Sequence, residues 1–286
     1  MMKKYVLISV LSVFGLTSVH AQYNNDVELG MFNHLSVGVG VGTTFISIGA
    51  AAPISRFVSV RAGADFMPVS NIKFHPALDL GFSQDVKDVF DIIHNFLPGE
   101  LKTKSMPDKI KFDGKLKYTA GHLLFDVYPF KNSSFHVTAG AYVGGKELVN
   151  MDTAGDQLLL EEIYAYNHSE IREEWGLGKL GVKLGNYFLE PDKEGVIKTT
   201  VEVNAFRPYI GIGFGRVVPT KHRFACNVDL GVQFWGKPKV FLEGDNGKTR
   251  LDKFDNLDAQ SAKALKSLSE TTFWPTLNVR CVYRIF

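Results

Sequence analysis

Along much of the chain apolar and polar residues alternate with a period of two, the repeat of a strand that shows one face to each of two environments. Leu35, Val37, Val39 and Val41 alternate with Ser36, Gly38, Gly40 and Gly42. Val58, Val60, Ala62, Ala64 and Phe66 oppose Ser59, Arg61, Gly63 and Asp65. Phe135, Val137, Ala139, Ala141 and Val143 oppose His136, Thr138, Gly140 and Tyr142. The clearest stretch sets Phe224, Cys226, Val228, Leu230, Val232 and Phe234 against Ala225, Asn227, Asp229, Gly231, Gln233 and Trp235. Met31 to Ser55 has no Asp, Glu, Lys or Arg, yet its glycines and β-branched residues disfavour helix, so it reads as strand with a turn at Pro53. The pattern predicts strands over 34–42, 44–51, 56–67, 115–128, 134–147, 207–217, 222–236 and 273–286.

Such strands build either a soluble barrel with its apolar face inside or a membrane barrel with its apolar face toward lipid. Length and connections separate the two. Segments 115–128, 222–236 and 273–286 are longer than the roughly 5–6 residues of a globular strand and match the roughly 9–11 that cross a bilayer. Short turns fall at 51–56, 129–134 and 218–222, and long inserts at about 68–114, 149–205 and 237–272, so the turns sort to one end and the loops to the other. The expectation is an all-β fold, an antiparallel up-and-down transmembrane barrel of eight strands with helical segments in its long loops. Segments 179–189 and 196–205, joined by Asp192-Lys193-Glu194-Gly195, also alternate. They are expected as a hairpin raised above the membrane, and a ten-stranded barrel is the alternative. Tyr128, Phe130, Phe135 and Phe224 near short turns, with Trp235 and Trp274 at the other ends, are expected as two interfacial girdles.

Composition and the first residues supply the compartment. With 45% hydrophobic and 12% aromatic residues, 27 Gly and 2 Cys in 286 residues, the chain is neither disordered, collagenous nor a disulfide-knotted miniprotein. Lys3 and Lys4 precede an apolar run over 5–16, too short for a spanning helix, and Val19-His20-Ala21 offers small residues for cleavage. Residues 1–21 are therefore expected to be a signal peptide, and 22–286 the barrel with its loops. Their removal takes Lys3 and Lys4 and leaves a formally neutral chain, with no basic excess for nucleic acid. No Cys near the cut permits lipid attachment there.

The sequence resembles the outer-membrane β-barrel proteins of the Bacteroidota type. The likeness lies in Leu124-Phe125-Asp126-Val127-Tyr128-Pro129-Phe130 with Phe135-His136-Val137-Thr138-Ala139-Gly140, in Arg207-Pro208-Tyr209-Ile210-Gly211-Ile212-Gly213-Phe214-Gly215, in Phe234-Trp235-Gly236-Lys237-Pro238 and in the terminal Tyr283-Arg284-Ile285-Phe286. It runs through the strands and fades in the inserts. The resemblance implies the fold and the outer membrane, with no reaction attached, and a terminal aromatic read by the barrel-insertion machinery. Here Phe286 departs in parity: Leu277, Val279, Cys281, Tyr283 and Ile285 form the apolar face, and Phe286 falls with Arg280 and Arg284.

The polar faces gather Arg61, Asp65, His122, Asp126, His136, Asn227, Asp229, Gln233, Arg280 and Arg284. Eight strands leave an interior just filled by side chains, so these groups must pair, and the expected role is a structural polar plug. His122, Asp126 and His136 are residue types of metal and base chemistry, but their spacing is no metal motif, and they are expected as interior fillers. No Gly-x-Ser-x-Gly elbow is present, and Gly211, Gly213 and Gly215 sit at period two, where they make room for a wide opposite residue and cradle no phosphate. No catalytic residue, cofactor or metal is expected. Cys226 and Cys281 fall on the lipid side of the last two strands. An oxidising compartment permits a bond, a shear offset would separate them, and free thiols are expected.

The inserts carry apolar-striped helical patterns over 84–97, 156–175 and 255–269, and from Val149 to Trp175 seven carboxylates face one Arg. Asp152-Thr153-Ala154 resembles a short O-glycosylation sequon. The reading is a monomeric outer-membrane barrel whose loops bind, adhere or organise the envelope, without catalysis. Expected partners are membrane lipid, the assembly machinery through the last strand, and an extracellular ligand at the loops. A narrow channel or transporter would need ten or more strands and a continuous polar lumen. A rim enzyme would need convergent Asp, His or Ser at the outer strand ends, and a soluble carrier would need its apolar faces inward.

Overall fold

A computed structural model describes residues 27–68, 73–74, 77–78, 110–154, 157–174, 176, 179, 182–184, 187–244, 247–251 and 270–286. The signal-peptide segment 1–21 and the helices expected over 84–97 and 255–269 lie outside them. The strands are β1 (Ser36–Gly42), β2 (Phe45–Ser55), β3 (Val58–Phe66), β4 (Lys73–Phe74), β5 (Ala77–Leu78), β6 (Ile110–Leu116), β7 (Thr119–Val127), β8 (Phe135–Gly144) and β9 (Glu147–Ala154). After two helices, α1 (Gln157–Asn167) and α2 (Glu170–Glu174), come β10 (Val182–Leu184), β11 (Tyr187–Leu189), β12 (Lys198–Glu202), β13 (Phe206–Phe214), β14 (Phe224–Phe234), β15 (Lys239–Gly244), β16 (Gly247–Leu251) and β17 (Phe273–Arg284).

Strands β1, β2, β3, β7, β8, β13, β14 and β17 pair antiparallel in chain order and close, β17 on β1, into an eight-stranded barrel. They coincide with the eight strands read from the alternation, so the ten-stranded alternative is not what forms. The strand containing Pro53 does not turn there. It bulges between Pro53 and Ser55 and turns after Ser55, a place where a residue without an N–H is tolerated. The last strand keeps its alternation through Arg284. Ile285 and Phe286 are both exposed beyond it, so the odd parity of Phe286 marks a strand end and no slip of register.

The raised hairpin is corrected. Among the described residues, segments 179–189 and 196–205 do not pair with each other: β10 pairs β11, while β12 lies between β9 and β15 in a second, seven-stranded sheet. That sheet continues the wall. The neighbours β7, β8, β13 and β14 run on, through breaks at 117–118, 145–146, 203–205 and 235–238, into β6, β9, β12 and β15, which keep the same order. Backbone hydrogen bonds bridge the breaks: the Lys117 N–H donates to Leu148 O at 2.8 Å, Val203 to Lys146 O at 2.9 Å, and Asn204 to Trp235 O at 2.8 Å. Gly236 takes φ +74°, where a Cβ would strike the Asn204 side chain. Arg207, fully buried, donates from Nε to Asn204 O at 2.9 Å and from its guanidinium to Gly145 O, and lies 5.5 Å above the Tyr118 ring. Helix α1 buries Leu160, Ile163 and Asn167 along one stripe, within the helical pattern expected over 156–175.

The barrel wears its apolar face outward. Val37, Val39, Val41, Leu123, Phe125, Val127, Ile210, Ile212, Leu230 and Leu277 are exposed. Exposed aromatics mark both rims: Phe57, Phe130, Phe214, Phe224 and Phe286 at the short-turn end, and Phe206, Phe234 and Phe273 at the other. From Phe224 to Phe234 the 11 residues of β14 rise about 34 Å along the strand and, tilted about 40°, about 26 Å along the barrel axis. That height matches the roughly 25 Å apolar band of a membrane barrel. Two expected girdle residues are elsewhere. Tyr128 turns inward, its hydroxyl accepting from Val217 N–H at 3.1 Å, and Trp235 is buried, donating to Thr271 O at 3.0 Å and stacking on Trp274 at 5.0 Å.

Candidate functional site: the filled barrel interior

The alternation that puts Val and Phe outside puts every second residue inside. Arg61, Asp65, His122, Asp126, His136, Asn227, Asp229, Gln233, Arg280 and Arg284 all point inward and are buried. Arg61 is the hub. β3 and β14 stand four strands apart either way around a ring of eight, which makes them opposite walls. The Arg61 guanidinium crosses between them, donating to Asp229 Oδ2 at 2.7 Å, and reaches Asp126 Oδ1 at 3.1 Å and Thr138 Oγ1 at 3.4 Å. His136 Nε2 donates to Asp229 Oδ1 at 2.8 Å, and the Thr138 hydroxyl donates to Asp126 Oδ1 at 2.6 Å. Gly213 is the register partner of both His136 and Asp229, and a Cβ there would lie 2.5 Å from Asp229 Oδ1 and closer still to the imidazole. The glycine makes room for the pair, as its period-two placement implied.

Two more layers complete the filling. Toward the short turns, Val217 and Val218 from the β13–β14 turn fold into the mouth, packed on Leu29 and Ala51. They are tied by Ser36 Oγ to Val217 O at 2.5 Å, while Arg284 donates to Pro219 O at 2.5 Å. Toward the long loops, Tyr118, Tyr142, Tyr209 and Leu124 pack together, with Phe45 and Leu148 against them. Tyr142 meets Tyr209 edge-on at 5.5 Å, and Tyr118 accepts from Gln233 Nε2 at 3.1 Å. Between the layers His122 Nδ1 meets Asp65 Oδ2 at 3.1 Å and Arg280 donates to Ser47 Oγ at 3.2 Å. The void lined by Arg61, His122, Arg280 and the β1–β2 wall measures about 10 Å³, space for about one water. Outside the plug, a concavity of about 1060 Å³ lined by Arg56, Lys131, Arg216 and Lys221 among others opens at the short-turn end.

A carboxylate beside an imidazole is the arrangement of a general base. Here both pairs are sealed from solvent, and the buried Thr138 hydroxyl beside Arg61 already donates to Asp126. Among the described residues no three His, Cys, Asp or Glu side chains gather as a metal site would require. The sequence reading missed Ser47, Tyr118, Tyr128 and Arg207, which close the interior. Tyr142 was readable, since it shares the parity of His136. Thr153 of the sequon-like tripeptide is buried, its hydroxyl accepting from the Ile197 N–H at 3.0 Å, so in the folded chain it is not free to carry a glycan.

Fold and interior together define a closed, plugged, eight-stranded up-and-down barrel with a sheet extending its wall at the long-loop end. No protein family and no curated protein sequence matches the chain. Among solved structures it is similar to CarO of Acinetobacter baumannii, at 13% identity and a TM-score of 0.42 over 89% of this chain and 99% of that one. It is also similar to CarO2 of the same organism, at 14% and 0.41 over 88% and 98%. The third is a major outer membrane protein from Thermus thermophilus, at 15% and 0.38 over 88% and 98%.

Proposed function

We propose that this chain is an exported, monomeric outer-membrane barrel that conducts nothing and catalyses nothing, and acts through the sheet and loops it holds above the membrane. The observation that carries the reading is Arg61 crossing the lumen to Asp229. A side chain bonded to the opposite wall, with a layer of tyrosines on one side and a hydrophobic turn plug on the other, blocks a solute path as well as it braces the wall. The outward apolar belt with aromatic rims supports the membrane setting, and runs against a soluble carrier, whose apolar faces would point inward. The signal-like leader and the resemblance to Bacteroidota barrels support export as the route. The wall extension gives the loops a rigid base, the usual arrangement for binding segments on a scaffold. Its role is then to bind an extracellular ligand or protein, or to organise the envelope.

Ion and solute flux across liposomes containing the folded protein tests this, with empty liposomes and a loop-deleted variant alongside. The expected result is flux at the level of empty liposomes for both forms. Flux through the intact protein would overturn the reading in favour of a narrow channel. Fractionation, with a gel comparing boiled and unboiled protein, tests the membrane placement separately.

A further inference from the structure

The antiparallel register of β14 and β17 sets Cys226 directly opposite Cys281. The shear offset that could have parted them is absent. In such a ladder opposed residues alternate between hydrogen-bonded pairs and non-hydrogen-bonded pairs, and in the latter the side chains come closer. The Arg284 N–H donates to Arg223 O at 2.7 Å and the Trp235 N–H to Thr272 O at 3.2 Å, each across directly opposed positions. Odd residues of β14 are therefore the hydrogen-bonded ones, which places Cys226 and Cys281 in a non-hydrogen-bonded pair. Opposed Cα atoms in that kind of pair stand about 4.5 Å apart, inside the range of about 4.4–6.8 Å that a disulfide spans. Both side chains lie on the outward face and both are reduced here.

We propose that Cys226 and Cys281 are an oxidation site: they join in a cross-strand disulfide that staples the closing strand β17 to β14. In the reaction a Cys thiolate attacks one sulfur of a donor disulfide, and the second Cys then displaces the donor from the mixed disulfide. The two thiols lose two electrons and two protons, one S–S bond forms in the barrel, and the donor disulfide is reduced to two thiols. The donor is a periplasmic disulfide carrier or oxidised glutathione. In the cell the inference rests on the outer-membrane reading above, because a chain kept in the cytosol would meet a reducing pool. It also fixes an order of events: once the outward face is in lipid, aqueous donors no longer reach it, so the bond forms before or during insertion.

The test is refolding of the full chain from denaturant into detergent micelles in a buffer of reduced and oxidised glutathione. Thiols are then counted on the denatured, unreduced protein and the peptides mapped by mass. The expected result is no free thiol and a peptide joining residues 226 and 281, with one free thiol in each of Cys226→Ser and Cys281→Ser. Two free thiols in folded protein overturn the proposal, as does a chain that stops as a mixed disulfide with glutathione, because the ring then fails to close. The same count on cells quenched with acid adds the export arm. Reduced thiols in cells together with ring closure in micelles would indict the placement in the envelope and leave the geometry standing.

Discussion

Asp229 accepts from two buried donors, the Arg61 guanidinium on the opposite wall, which Asp126 also holds at 3.1 Å, and the imidazole of His136. Removing the carboxylate takes one of two partners from a buried guanidinium and the acceptor from a buried imidazole, and breaking a buried pair in this way typically costs about 3–5 kcal/mol. Asp229→Ala should therefore lower the unfolding midpoint in urea and detergent far more than it changes permeability. Unchanged thermal stability with new conductance would show the network to be a pathway. Gly213→Val places a branched carbon where the His136–Asp229 bond passes, and should destabilise the barrel by about 1–3 kcal/mol, read by the same urea titration. These inward residues were legible in the sequence because each sits on one parity of a clean alternation. Tyr128 and Trp235 carry the same inward parity, with Asp126 and with Asp229 and Gln233, yet were expected at the rim, because an aromatic with a polar edge at a strand end suits a lipid rim as well as a plugged mouth. Thr153 likewise offered a hydroxyl in a tripeptide, and only the neighbouring strand shows that Ile197 occupies it.

At the scale of elements, the barrel strands could be read to within a few residues while the extension could not. Four of the eight wall strands break at the rim, at Tyr118, Gly145, Asn204 or Gly236, and the period-two signal restarts on the far side as a short segment that looks like loop. Segments near in sequence, 179–189 and 196–205, were matched to each other, whereas β12 finds its partners in β9 and β15, set by the barrel order beneath it. The extension has its own electrostatics. Lys248 on β16 reaches Glu147 at 3.0 Å, Glu243 at 3.2 Å and Glu202 at 3.3 Å, joining β9, β15 and β12. The hydrogen bond from Lys248 is the main reason that Glu147 sits below the usual carboxylate range, and the same bond to Glu147 leads the rise of Lys248 above the usual lysine range. The contribution of Glu147 is therefore present above the ordinary carboxylate range and lost as pH falls through its lowered value. That of Lys248 holds below the ordinary lysine range and is lost only as pH rises through its raised value. These groups are partly exposed, and such pairs contribute only about 0.2–1 kcal/mol each. The effect should be local: below about pH 4 amides of β15 and β16 should exchange faster, relative to intrinsic rates, while amides of β7 and β8 stay protected. Equal loss of protection in both would show the sheet and barrel to open as one unit.

At the scale of the whole molecule, three closures in series explain how a barrel with so many charged groups inside is filled among the described residues. Each draws on a different part of the chain: Val217 and Val218 on a turn, Arg61 and Asp229 at mid-strand with Asp126 and His136 from the short-turn ends of β7 and β8, and Tyr118, Tyr142 and Tyr209 near the rim. Series barriers make a sharp expectation for conductance. Replacing Tyr118, Tyr142 and Tyr209 together by Ala opens only the upper third, and flux across liposomes should stay at the level of the unmodified protein, because Arg61 still spans the lumen to Asp229. The variant should also be less stable, since truncating buried aromatics costs about 3–5 kcal/mol apiece where the cavity does not collapse. A folded triple variant, verified by its mobility on an unboiled gel, separates the two effects. Measurable flux from it would mean that the Arg61 bridge opens on its own and that the tyrosines are the gate. The protein would then be a channel held shut from its outer side, and the wall extension above those tyrosines would be the element that opens it.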